Sequence, residues 1–130
     1  MSHEAFMDAA LEQARLALAA GEVPIGAVLV IDDAIVARSF NQPISACDPT
    51  AHAEVLVLRE AARIAGNYRL TAADVYVTLE PCLMCVGALV STVRGLETPG
   101  LNHRFEVTGP VREEAARGLI QEFFRGKRRS

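Results

Sequence analysis

No stretch of these 130 residues is apolar for long enough to cross a bilayer, so a membrane-spanning class is not expected. Cysteine is scarce. Three residues, an odd count with no secretory signal ahead of them, do not suggest a disulfide framework. The opening Met1-Ser2-His3-Glu4-Ala5-Phe6-Met7-Asp8 is acidic and amphipathic, unlike a leader peptide, and a cytoplasmic location is the default expectation. Positive charge is not in excess either: the formal net charge of −3 does not advertise a nucleic-acid binder. The basic residues Arg125, Lys127, Arg128 and Arg129 crowd the end, where a solvated helix terminus is the plain reading and phosphate contact the sharper one. No internal repeat, low-complexity segment or linker divides the chain, and 51% apolar with 22% charged residues suits one globular domain over 1–130.

What is present reads as alternating helices and strands. Phe6, Ala10, Ala14, Ala17 and Leu18 recur at helical spacing after Ser2, a candidate N-cap, and Gly21 closes that helix. Ile25 to Ile31 is a β-branched apolar run and reads as a buried strand. Asp32-Asp33 turns it into a hairpin with Ile35 to Phe40, and Asn41 to Pro49 follows as a polar loop. Asp48-Pro49-Thr50 signals a helix that runs to Gly66, with His52 and Glu54 in its first turn. Val75 to Leu79 is the next strand. Pro81 then suits the first position of a helix carrying Cys82 and Cys85 in its first turn. A last helix after Gly109-Pro110 is expected to face Val111, Ala115, Leu119, Ile120, Phe123 and Phe124 inward. The order predicts an α/β layered domain.

Two short stretches carry chemistry. Thr50-Ala51-His52-Ala53-Glu54 offers an imidazole and a carboxylate two residues apart; Glu80-Pro81-Cys82-Leu83-Met84-Cys85 offers two thiols. A catalytic zinc takes three N or S ligands and leaves its fourth position to water. His52, Cys82 and Cys85 form such a triplet, with Glu54 left over as an acid/base. Helix N-termini favour thiolate over thiol, the form zinc binds. Alone, the C-x-x-C could be redox-active or part of a structural zinc site. A redox pair leaves His52 and Glu54 unexplained, and a structural site needs a fourth ligand from Cys47, His3 or His103, none at conventional spacing to His52. The joint pattern, H-x-E followed thirty residues later by P-C-x-x-C, is the signature of zinc deaminases. In that chemistry the metal supplies hydroxide near neutral pH for attack on a ring carbon bearing an exocyclic amine, while the glutamate shuttles protons.

Further stretches narrow the reading. Glu22-Val23-Pro24-Ile25-Gly26-Ala27-Val28, the Asn41-x-Pro43 loop, Asp48 to Glu54, Tyr68-Arg69-Leu70, Tyr76 to Cys82, Leu101-Asn102-His103-Arg104 and Phe123-Phe124-Arg125 resemble the bacterial tRNA-specific adenosine deaminases of the cytidine/deoxycytidylate deaminase superfamily. The resemblance implies a cytidine deaminase-like α/β/α sandwich around a mixed sheet. It implies one Zn²⁺ per chain and a homodimer that converts the wobble adenosine of a tRNA anticodon loop to inosine. By matching position, His52, Cys82 and Cys85 are implied as metal ligands and Glu54 as catalytic. Asn41 is implied as a base contact, and Pro24 and Leu79 as pocket wall. His103, in a polar loop, is a further substrate-contact candidate beside its plain reading as a surface histidine.

One departure stands out. Where the family has a further strand and a long glycine-containing loop, Ser91 to Gly100 runs almost directly into Asn102-His103. Arg104 to Thr108 is therefore expected beside Val75–Leu79, closing a four-stranded sheet in place of five and leaving no unpaired backbone on its neighbour. Two other functions fit the same motif: deamination of cytosine or adenine in single-stranded DNA, and a noncatalytic zinc-stabilised interaction module.

Overall fold

A computed structural model describes residues 2–70, 72–79, 81–89, 92 and 112–128, and all structural statements concern these. The elements are α1 (His3–Ala19), β1 (Gly26–Ile31), β2 (Ala34–Phe40), α2 (Pro43–Ala46), α3 (Ala53–Ala65), β3 (Ala73–Val77), α4 (Leu83–Leu89) and α5 (Glu113–Arg128). The sheet order is β2-β1-β3, and both pairings are antiparallel. The strand expected at Arg104 to Thr108, the fourth of the sheet, lies outside the described residues, as does His103.

β1 explains the layering. Its residues alternate between two cores, as strand geometry requires. Ala27 and Leu29 pack with Ala53, Val57, Leu58 and Ala61 of α3; Val28 and Val30 pack with Phe6, Met7 and Ala10 of α1. A strand covered on both faces must be apolar at every position, which is why the run is unbroken. Helix, sheet and helix thus form three layers, with α5 against α1 and an ion pair from Arg112 to Asp8 at 2.9 Å tying them.

Local signals mostly act where expected. Ser2 caps α1 by accepting the Ala5 N–H at 3.2 Å. Asp32 and Asp33 both adopt positive φ (51° and 62°), the two-residue turn that matches strand twist. Gly26 starts β1 where α1 crosses it. A Cβ there would sit 2.1 Å from the Ala10 carbonyl oxygen and 2.5 Å from the Ala14 nitrogen. Both are helical backbone and cannot yield, so Gly26→Ala is expected to cost about 3 kcal/mol, read as a lowered denaturation midpoint.

Four expectations need correction. The Asn41 to Pro49 stretch is not all loop, because Pro43 opens the short helix α2. β3 runs Ala73–Val77 instead of Val75 to Leu79, since its register is set by pairing with Ala27 to Ile31. Neither His52 nor Cys82 lies within a first helical turn: α3 begins at Ala53 and α4 at Leu83. In α5 the buried position is Ala116, while Ala115 is exposed and Phe124 is half exposed. One residue is 100° of helix, and contact with α1 selects the phase. Side chains of the basic tail from 127 onward, and Val111, lie outside the described residues. No described helix is long and apolar enough to cross a membrane.

Candidate metal centre

Antiparallel pairing places the C-terminal ends of β2 and β3 on one edge, either side of the start of β1. Gly26 is opposite Phe40, and Ala27 is opposite Val77. Thr78 prolongs the β3 contact, its N–H donating to the Gly26 carbonyl at 3.1 Å and its hydroxyl accepting the Gly26 N–H at 3.0 Å. The chain leaving β3 enters α4, and the chain leaving β2 returns as α3. Two helix starts meet at this edge.

His52 and Cys82 occupy equivalent positions there. Each is the residue just before a helix, with its carbonyl accepting the first helical bond: Leu56 N–H to His52 and Val86 N–H to Cys82, both at 2.9 Å. His52 makes no side-chain cap bond. That task falls to Asn41, whose buried Oδ1 accepts the Ala53 N–H at 3.1 Å. The imidazole is left to face the thiols.

The three donors are close together. His52 Nδ1 lies 3.6 Å from Cys82 Sγ and 3.4 Å from Cys85 Sγ, and the two sulfurs are 3.6 Å apart. A tetrahedral zinc with ordinary bond lengths separates two sulfurs by about 3.8 Å and sulfur from nitrogen by about 3.6 Å. The triplet fits three corners of that tetrahedron, and these are the described His, Cys, Asp or Glu residues that group in this way.

The thiols differ in environment. The Cys85 N–H, then the Cys85 thiol and Met84 N–H, hold the Cys82 thiol below its ordinary range against burial. Burial pushes the Cys85 thiol well up, and the Glu54 charge adds to it. The N–H groups at the helix start thus favour thiolate at Cys82, while burial works against it at Cys85. Fully buried Cys85 ionises when a cation is there to share its charge. Glu54 is 4% exposed, and its Oε1 has no hydrogen-bond partner among the described residues. A buried, unpaired carboxylate oxygen is costly unless a ligand or water completes it. Both observations fit a metal-centred site.

Of the remaining candidates, Leu79 is 45% exposed and Pro24 is fully buried. Glu22 carries no chemical signature in the sequence, yet it is 1% exposed. Its carboxylate accepts the Ile44 N–H (3.2 Å), the Ser45 N–H (2.6 Å) and the Ser45 hydroxyl (2.5 Å). Burial alone raises its carboxyl; the Ser45 and Ile44 bonds outweigh that and hold it below its ordinary value. A local signal for it is Pro43, a helix-start residue left without a capping neighbour, beside the place of Glu22 at the head of a family-resembling stretch.

Comparison with known proteins agrees with this geometry. The family model for the cytidine and deoxycytidylate deaminase zinc-binding region matches residues 1–95. The tRNA-specific adenosine deaminase of Agrobacterium fabrum is 41% identical, over 95% of this chain and 94% of that protein. The chain belongs to this deaminase family. The Bacillus subtilis tRNA-specific adenosine deaminase is 39% identical over 97% of this chain and 91% of its own. A structure from a study of A-to-I editing by tRNA:A34 deaminases at the wobble position superposes with a TM-score of 0.78. It is 38% identical and covers 88% of this chain and 98% of its own. The deaminase is a zinc-dependent hydrolase, and His52, Cys82 and Cys85 are positioned to hold the ion. Its cytidine deaminase-like fold is that of these neighbours. The Agrobacterium alignment spans 143 positions but draws on 95% of 130 residues, so about 20 positions of that relative have no counterpart here.

Proposed function

We propose that this deaminase, one domain over 1–130, converts adenosine to inosine in RNA, with the wobble position of a tRNA anticodon loop as its target. The observation that carries the chemistry is the unpaired, buried Glu54 oxygen beside a triplet of donors at tetrahedral spacing. The substrate reading is supported by the curated relatives, which are tRNA-specific adenosine deaminases at 39% and 41% identity over nearly their whole length.

When bound, zinc acts as a Lewis acid that makes a water-derived nucleophile available near neutral pH. Glu54 takes one proton from water and delivers it to the ring nitrogen, then takes the second from the new C6 hydroxyl as it becomes a carbonyl and delivers it to the departing amine. Across the reaction a C–O bond forms at C6, the C6–N bond breaks, and ammonia leaves. A carboxylate with one oxygen free of protein partners suits this shuttle, because no existing bond has to break first. Asn41 spends its Oδ1 on Ala53, so its Nδ2 is the group left to donate to an acceptor nitrogen of the purine. Leu79 contributes apolar wall. An unpaired loop base is the form of adenine that can be splayed into such a site.

We take the working form as a cytoplasmic homodimer. Leu83 and Met84 of α4, beside the metal ligands, are 89% and 40% exposed and suit burial against a second copy. A monomeric sedimentation profile at assay concentration rules that out.

The substrate is tested by assaying the zinc-loaded enzyme on an anticodon stem-loop with adenosine at the wobble position, alongside single-stranded DNA containing A and C. Inosine in the stem-loop alone is expected. Uracil from the DNA overturns the adenosine reading, and inosine from the DNA alone overturns the RNA reading.

A further inference from the structure

Glu22 is a buried charge that the deamination chemistry does not use. Its three bonds go to Ile44 and Ser45, the second and third residues of α2. A four-residue helix does not hold itself together, and Gln42, at its N-cap position, makes no side-chain cap bond. Glu22 supplies that cap from 22 residues upstream, with a charged acceptor for two backbone N–H groups.

α2 continues directly from Asn41 and Gln42. Asn41 donates its own N–H to the Ile25 carbonyl at 3.0 Å and accepts from Ala53 between the metal ligand His52 and Glu54. The Gln42 N–H donates to the Ala51 carbonyl at 2.9 Å. A carboxylate outside the site thus secures the segment that delivers the Asn41 amide. The helices at the metal ligands have a further anchor besides these two bonds: α3 packs on β1 and β2, and α4 packs on α3.

We propose that Glu22 is a positioning residue for substrate. It locks α2 and, through it, the Asn41 amide, and so governs substrate affinity without touching substrate or metal. The proposal rests on the assignment of Asn41 as a base contact.

The test compares zinc-loaded wild type with Glu22→Ala, Glu22→Gln and Ser45→Ala by metal analysis and steady-state kinetics on the anticodon stem-loop. Glu22→Ala is expected to keep one zinc and a kcat within about threefold, while KM rises about tenfold from the loss of charged hydrogen bonds. Ser45→Ala, losing one hydroxyl, raises KM about threefold, and Glu22→Gln, which keeps one acceptor oxygen, falls between. An unchanged KM in folded Glu22→Ala, lost zinc, or a fall in kcat at constant KM each overturns the proposal. Should Glu22→Ala fail to fold, the graded KM of the other two variants decides, and a flat series overturns it. A wild type idle on the stem-loop but active on single-stranded DNA overturns the RNA reading, and the same KM series on that DNA still decides the role of Glu22.

Discussion

Glu54→Gln is expected to lose turnover by at least ~10³-fold while keeping one zinc per chain, which metal analysis and an inosine assay read together. The loss follows from the role. A positioned acid/base contributes roughly 10²–10⁴-fold, and an amide can neither accept the water proton nor return one to the leaving amine. Retention of zinc follows from the geometry, because the donors are His52 Nδ1 and the two thiols, and Glu54 is not among them. Stability is the more discriminating readout. In chelator-stripped protein Glu54 is buried with an oxygen that no described group pairs, so the neutral, nearly isosteric glutamine relieves an uncompensated desolvation there. A melting temperature equal to that of stripped wild type or raised by a few degrees is expected, the usual sign of a site strained for function. Turnover within threefold of wild type sinks the proton-shuttle assignment. Loss of zinc sinks the claim that Glu54 is not a ligand.

Removing a metal ligand gives the largest structural effect. His52→Ala, Cys82→Ala and Cys85→Ala should each abolish zinc binding and activity, but not at equal cost to the fold. The metal joins the starts of α3 and α4, elements distant in sequence, so its loss frees both. All three variants, and wild type stripped with a chelator, should be destabilised by at least ~3 kcal/mol, because metal-binding energy is folding energy. Cys85→Ala adds a cavity at a fully buried position, whereas Cys82 is exposed and its loss leaves none. Chelator should therefore lower the wild-type melting temperature to about that of Cys82→Ala and leave Cys82→Ala itself unmoved. If chelation shifts all four proteins equally, the stabilising ion sits elsewhere.

Much of this molecule was legible before its structure was known. The β1 run, the Asp32-Asp33 turn and the α3 helix follow from local preference, because each is the conformation its residues adopt at least cost. Helix phase in α5 was not legible: Ala115 and Ala116 are the same residue type, and only contact with α1 distinguishes them. The role of Asn41 was half legible. A polar residue after a strand reads as a turn, and nothing local says that its Oδ1 caps a helix 12 residues on. Glu22 was the least legible, since its partners lie 22 and 23 residues away and burial reverses the usual expectation for a carboxylate.

The sequence by itself determined the chemistry. H-x-E and P-C-x-x-C name the donors, the metal they suit and the spare carboxylate, because ligand preference belongs to the residue type and short spacing survives any fold that starts two helices there. Only the tertiary structure decided how those groups stand. Antiparallel pairing of β2 and β3 with β1 brings His52 within 3.6 Å of thiols 30 and 33 residues away. It buries Cys85 while leaving Cys82 exposed, and assigns the capping of α3 to Asn41 and that of α2 to Glu22. Those are properties of distance and burial, which arise between segments and are encoded in none of them alone.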